Sequence, residues 1–212
     1  MSRTLLLSLM LFLVVMPPFV WATQSKDGSD PLKRFTSCKM PGDLRHRDVA
    51  RVKYPGNYRH IGDQDERVSV VDGYRITFGY ADVPFDLINV KVEQSDGGSY
   101  PQDKERVVKW LKHLSSSDQA TKIQFADKAV LHGFEHYGID RDVIDVGIVV
   151  GTHVLFDEAE HLIITIYFLN HDKKMKQRRF NNLAEYHLFK TEALDRYAEC
   201  LRKAAPSSEA QP

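Results

Sequence analysis

VIDVGIVVGTHVLF (143–156), DEAE (157–160) and HLIITIYFL (161–169) follow one another without a break in this 212-residue chain. Both long runs are rich in Val, Ile, Phe and Tyr, the side chains that fit a pleated surface. The link between them is polar throughout. Two such runs joined by a short polar link pair as neighbouring antiparallel strands. Ile163, Ile164, Ile166, Phe168 and Leu169 leave little polar face, which places that strand near the centre of a sheet covered on both sides.

Working outward toward the N-terminus, Ile123, Phe125 and Ala129 to Tyr137 (AVLHGFEHY) extend the β region. Before it, Pro101 opens a helix. Val107, Trp110, Leu111 and Leu114 fall on one helical stripe, and Ser115-Ser116-Ser117 ends it. Phe85 to Glu93 (FDLINVKVE) is a further strand of imperfect alternation. In VSVV-DG-YRITF (68–78), Asp72-Gly73 between two strand-like runs predicts a tight hairpin. Toward the C-terminus, Asn182 with Glu185 three residues on reads as a helix cap. Phe189, Ala193, Tyr197 and Leu201 follow as an inner stripe, with Lys190-Thr191 a point at which the helix can break in two.

The order is hairpin, strand, helix, antiparallel strands, helix. Helices in separate blocks beside antiparallel hairpins predict an α+β fold: an antiparallel β-sheet with helices packed on its faces. Over Val68 to Lys203 this order of elements resembles the PsbP-like sandwich, in which a helix covers each face of a central antiparallel sheet. The resemblance implies an exported or lumenal accessory or binding domain. It carries no functional residue over.

The chain begins with a basic Met1-Ser2-Arg3, an apolar run from Leu5 to Val15, then Pro17-Pro18 and Val20-Trp21-Ala22. This is the charged, apolar, cleavable layout of a signal peptide, and its run is too short to span a bilayer. The expected division is a signal peptide at 1–22, a polar leader at 23–37, one domain at 38–203 and a flexible tail at 204–212. An uncleaved anchor is the alternative. No other stretch is apolar enough for a transmembrane helix. Periplasmic or extracellular delivery makes Cys38 and Cys200, the only two cysteines, a disulfide candidate. Two buried thiols are the other reading.

Lys and Arg total 29 and Asp and Glu total 29, so the formal charge is zero and no global field draws in nucleic acid. Local charge is less even. Lys173, Lys174, Lys176, Arg178 and Arg179 crowd one segment, either a solvated loop or a contact for an anionic partner. A second basic stretch, Arg45 to Arg59, carries Tyr54 and Tyr58, and would gain meaning if it lay beside the first. The acidic groups at Asp63 to Glu66 and at Asp140, Asp142 and Asp145 lack the pattern of a calcium loop and read as turn residues.

His132-Gly133-Phe134-Glu135-His136 matches H-x-x-E-H, in which two His one helical turn apart bind zinc and the Glu activates water. The flanks read as strand, and Gly133 weakens a helix. On a strand His132 and His136 share a face and Glu135 takes the other. A variant keeps His132 and His136 as ligands with His153 or His161 from neighbouring strands, for zinc or copper. No G-x-S-x-G, G-x-G-x-x-G or C-x-x-C occurs. The expectation is therefore a non-catalytic exported binding domain without cofactor, acting on an envelope or extracellular protein or an anionic surface. A small zinc hydrolase and a ligand-free structural envelope protein are the alternatives.

Overall fold

A computed structural model describes residues 30–61, 66–117, 123–141, 149–172 and 177–204. Strand β7 (Val149–Asp157) and strand β8 (Leu162–Leu169) form the expected central hairpin. Asp157 closes it, its Oδ1 accepting the N–H groups of Ala159 and Glu160 at 3.0 and 3.3 Å. Ile163, Ile164, Ile166 and Phe168 are fully buried, as expected of a central strand.

Strand β4 (Ile88–Ser95) pairs with the outer side of β8, and β3 (Arg67–Gly79) and β1 (Arg45–Arg51) follow. On the other flank β6 (Phe134–Arg141) pairs with β7, and β5 (Ile123–Leu131) forms the edge. The order is β1-β3-β4-β8-β7-β6-β5, every pair antiparallel. Strand β2 (Tyr58–His60) joins the start of β3, and β9 (His171–Asp172) and β10 (Gln177–Arg178) make a two-residue ladder. Helices α1 (Tyr100–Ser117) and α2 (Leu183–Ala204) complete the α+β fold.

Alternation along β7 assigns the helices to faces. Val154 and Phe156 share a core with Val107 and Leu111 of α1. Leu155, one position between them, belongs to the core with Ala193, Tyr197 and Leu201 of α2. Successive strand residues point to opposite faces, so each helix covers its own face. Helix α2 is unbroken. Asn182 Oδ1 caps it by accepting the N–H of Glu185 at 2.9 Å, and Thr191 Oγ1 donates back to the His187 carbonyl at 2.8 Å.

Two turns differ from expectation. Asp72-Gly73 is no hairpin: β3 runs straight through it, with a bulge between Val70 and Asp72. Arg51 holds the Asp72 carboxylate through two hydrogen bonds at 3.0 and 2.7 Å, and a side chain at Gly73 would press on the Tyr54 ring, 3.3 Å away. The glycine serves close packing and not a reversal. The tight turn lies instead at His132-Gly133, both at positive φ (48° and 85°), which divides AVLHGFEHY into β5 and β6. Positive φ at both central positions is the two-residue turn that matches strand twist.

The packed chain also begins before the expected boundary at Cys38. Leu32 and Phe35, inside the expected polar leader, are buried, and Lys33–Ser37 forms a 3-10 turn. Cys38 and Cys200 are disulfide-bonded, with Cα atoms 5.6 Å apart across 162 positions of sequence. The bond joins this N-terminal turn to α2. No described helix is long and apolar enough to cross a membrane. The expected signal peptide at 1–22 lies outside the described residues, as does the expected tail of 204–212 except Ala204, which ends α2.

Candidate functional site

On the α2 face, cross-strand register sets Gly138 of β6 opposite His153 of β7, and Asp140 opposite Gly151. His136 and Asp140 flank Gly138 on the same face. A Cβ at position 138 would overlap the His153 ring, and one at 151 would overlap the Tyr186 hydroxyl. The two glycines thus open a slot in the sheet. The His153 ring lies in it across β6, with a polar residue on each side.

His153 Nε2 lies 3.0 Å from Asp140 Oδ1, and His153 Nδ1 lies 3.0 Å from His136 Nε2. Tyr186 donates to Asp140 Oδ1 at 2.6 Å, and the Lys190 ammonium pairs with Asp140 Oδ2. His153 is 1% exposed and Asp140 8%. Burial alone would raise the Asp140 pKa, but the hydrogen bonds from His153, Lys190 and Tyr186 outweigh it and hold the carboxyl well below its usual range. Burial lowers His153, with the attraction of Asp140 opposing. Burial, then the neighbouring His153 and Lys190, lowers His136 to about 4. At neutral pH the site is a carboxylate beside two uncharged imidazoles.

The chain of contacts ends in a groove of about 1220 Å³ between α2 and the β5–β6 hairpin. Its walls include Ala126, Leu131, Leu188, Phe189 and Leu194, with His136, His153 and His187 set among them. Leu188 is 77% exposed on the rim. His187 Nε2 is buried and has no hydrogen-bond partner among the described residues. The size and the mostly apolar lining with a few convergent polar atoms fit a site for a small molecule.

The zinc-protease triplet is not brought together. His132 sits at the β5–β6 turn and pairs with Asp195 at 2.8 Å. Glu135 points to the α1 face, where Lys104 and Lys128 bind it at 2.9 and 2.7 Å and Tyr137 donates to it at 2.9 Å. Burial pushes its pKa up, yet these three contacts prevail and hold it at about 2, that of a fixed carboxylate and not a proton acceptor. His136 alone faces the groove. Strand alternation, expected from the sequence, separates Glu135 from His136, while the turn at His132-Gly133 removes His132. His161 lies in the other hairpin beside Tyr100, ring centroids 5.2 Å apart. Among the described residues no group of three or more His, Cys, Asp and Glu is placed to hold a metal ion.

Lys173, Lys174 and Lys176 lie outside the described residues, as does the Arg178 side chain. Arg179 stacks on Tyr80, Phe180 and Phe189 and donates to Glu185 at 2.9 Å. It lines a cleft with Arg45, so the two basic stretches do meet, but Asp43 and Asp82 share that cleft and offset its charge.

Asp140 was expected to be a turn residue and is instead the buried anchor of the site; Asp142 and Asp145 lie outside the described residues. Tyr186 and Lys190, one helical turn apart, reach the same carboxylate. An i, i+4 Tyr/Lys pair on an inner helix stripe is a faint signal in sequence, and nothing there says which carboxylate it meets.

Comparison of the chain with protein-family models, with curated proteins and with solved structures finds no match.

Proposed function

We propose that this chain is an exported binding domain whose groove between α2 and the β5–β6 hairpin takes up a small, largely apolar ligand. The observation that carries this reading is the groove itself: apolar walls around the buried Asp140–His153–His136 chain. Buried polar chains are costly unless they are satisfied, and this one is satisfied at its Asp140 end and open at its His136 end. The Cys38–Cys200 bond and the N-terminal charged-apolar-cleavable segment support export. A helix on each face of an antiparallel sheet supports the resemblance to PsbP-like accessory domains. In this proposal the basic run at 173–179 is a separate contact for an anionic partner.

Expression with the native leader, followed by titration with the uncharged fluorophore N-phenyl-1-naphthylamine, tests it. Protein recovered outside the cytoplasm and starting at Thr23 is expected to bind the dye saturably. An Ala126→Arg variant, with a long side chain on the exposed wall of the groove, is expected to lose at least about tenfold in affinity, some 1.4 kcal/mol. Retention of the full-length chain in the cytoplasm refutes export. Equal dye binding by both proteins refutes the groove.

A further inference from the structure

Every proton in the buried chain can be placed. An ionised Asp140 accepts only, so the atom of His153 that faces it, Nε2, carries a hydrogen. A neutral imidazole has one N–H, so His153 Nδ1 is an acceptor. The His136 nitrogen 3.0 Å from it, Nε2, must then donate. That leaves His136 Nδ1 as a bare lone pair, and it has no hydrogen-bond partner among the described residues. The tautomer of the groove-lining imidazole is therefore set by a carboxylate two residues away in the chain of contacts, as the orienting acid sets the histidine of a hydrolytic triad.

We infer that the groove is specific for an apolar ligand carrying a neutral hydrogen-bond donor, a hydroxyl or N–H, which binds to His136 Nδ1. This rests on the groove being the binding site. A carboxylate ligand meets a lone pair at that end and is repelled. Two cations line the groove among the described residues, and both are already paired, Lys190 with Asp140 and Arg179 with Glu185. Base catalysis by His136 is the competing use of a bare nitrogen, and the magnitude decides against it. With its conjugate acid held near 4, the ring is a poor proton acceptor at neutral pH but a competent hydrogen-bond acceptor.

Two measurements on the mature protein test this. In the 15N spectrum of histidine-labelled protein, His136 Nδ1 is expected to appear as an unprotonated nitrogen and Nε2 as a protonated one. A protonated His136 Nδ1 at pH 7 overturns the inference, whatever the groove binds. Three naphthalene probes then read specificity: 2-naphthol, naphthalene and 2-naphthoate. The naphthol is expected to bind about tenfold more tightly than naphthalene and more tightly still than the carboxylate. Equal binding of naphthol and naphthalene, or tighter binding of naphthoate, overturns the donor assignment while leaving the groove intact. Failure of all three to bind overturns both. In a His136→Phe variant the naphthol advantage is lost while naphthalene still binds. The wild-type probe series decides alone if that variant fails to fold.

Discussion

A methyl group at position 151 would overlap the Tyr186 hydroxyl and come within 3.0 Å of Asp140 Oδ1. Neither can retreat, since Tyr186 is fully buried and Asp140 is held by three partners. Gly151→Ala is therefore expected to destabilise by about 1–3 kcal/mol, the usual cost of overpacking. Gly98→Ala, where the added carbon would meet only Asp96 Oδ2 at 3.8 Å, is expected to be neutral or slightly stabilising. Urea denaturation of both variants reads the difference, and equal midpoints contradict the account of the slot. The same residues set a pH dependence. The folded pKa of His136, about 4, lies below the ordinary 6.5, and that of His153 is also lowered. Between those values the unfolded chain binds more protons, so stability rises with pH there and falls as pH drops from about 6.5 toward 4. Asp140, also lowered, acts in the same sense, its contribution lost as pH falls through its folded value. Facing these groups, the Lys190 ammonium further disfavours protonation of His153. His136 alone supplies up to about 3 kcal/mol of that loss. A melting temperature unchanged between pH 7 and pH 4.5 would contradict it.

At the scale of elements, what the sequence reveals depends on whether a signal is local. The β7–β8 hairpin is legible because its apolar runs are long and three of the four residues of its link are acidic. The C-terminal helix is legible from its Asn182 cap and its 3.6-residue stripe. Asp72-Gly73 misleads because a glycine that makes room for Tyr54 looks, in sequence, like a glycine that makes a turn. The real turn at His132-Gly133 is masked by the match to a metal motif built on the same letters. The site is hidden for a different reason. His153 reaches both Asp140 and His136 only because Gly138 sits opposite it, a fact of register. The disulfide acts at this scale too, tying the Lys33–Ser37 turn to α2. Replacing both cysteines by serine is expected to cost about 3–5 kcal/mol on the loop-entropy model. A change under about 1 kcal/mol in urea would show that the buried Leu32 and Phe35 hold the segment alone.

For the whole molecule, one sheet with a helix on each face presents a cleft on either face of the sheet among the described residues. The groove on the α2 face holds the imidazoles. On the α1 face, a smaller cleft of about 580 Å³ is lined by Lys104, Glu105, Lys112, Tyr137 and Glu158. Two of its lysines are already paired, Lys104 with Glu135 and Glu158 and Lys109 with Glu66. In the proposed function, the ligand binds in the first. The most direct test is the amide spectrum of 15N-labelled protein beginning at Thr23 during titration with N-phenyl-1-naphthylamine. The account predicts shifts concentrated at Ala126, Leu131, His136, His187, Thr191 and Leu194. Shifts centred on Lys104, Lys112 and Tyr137, with the groove residues unmoved, would contradict it.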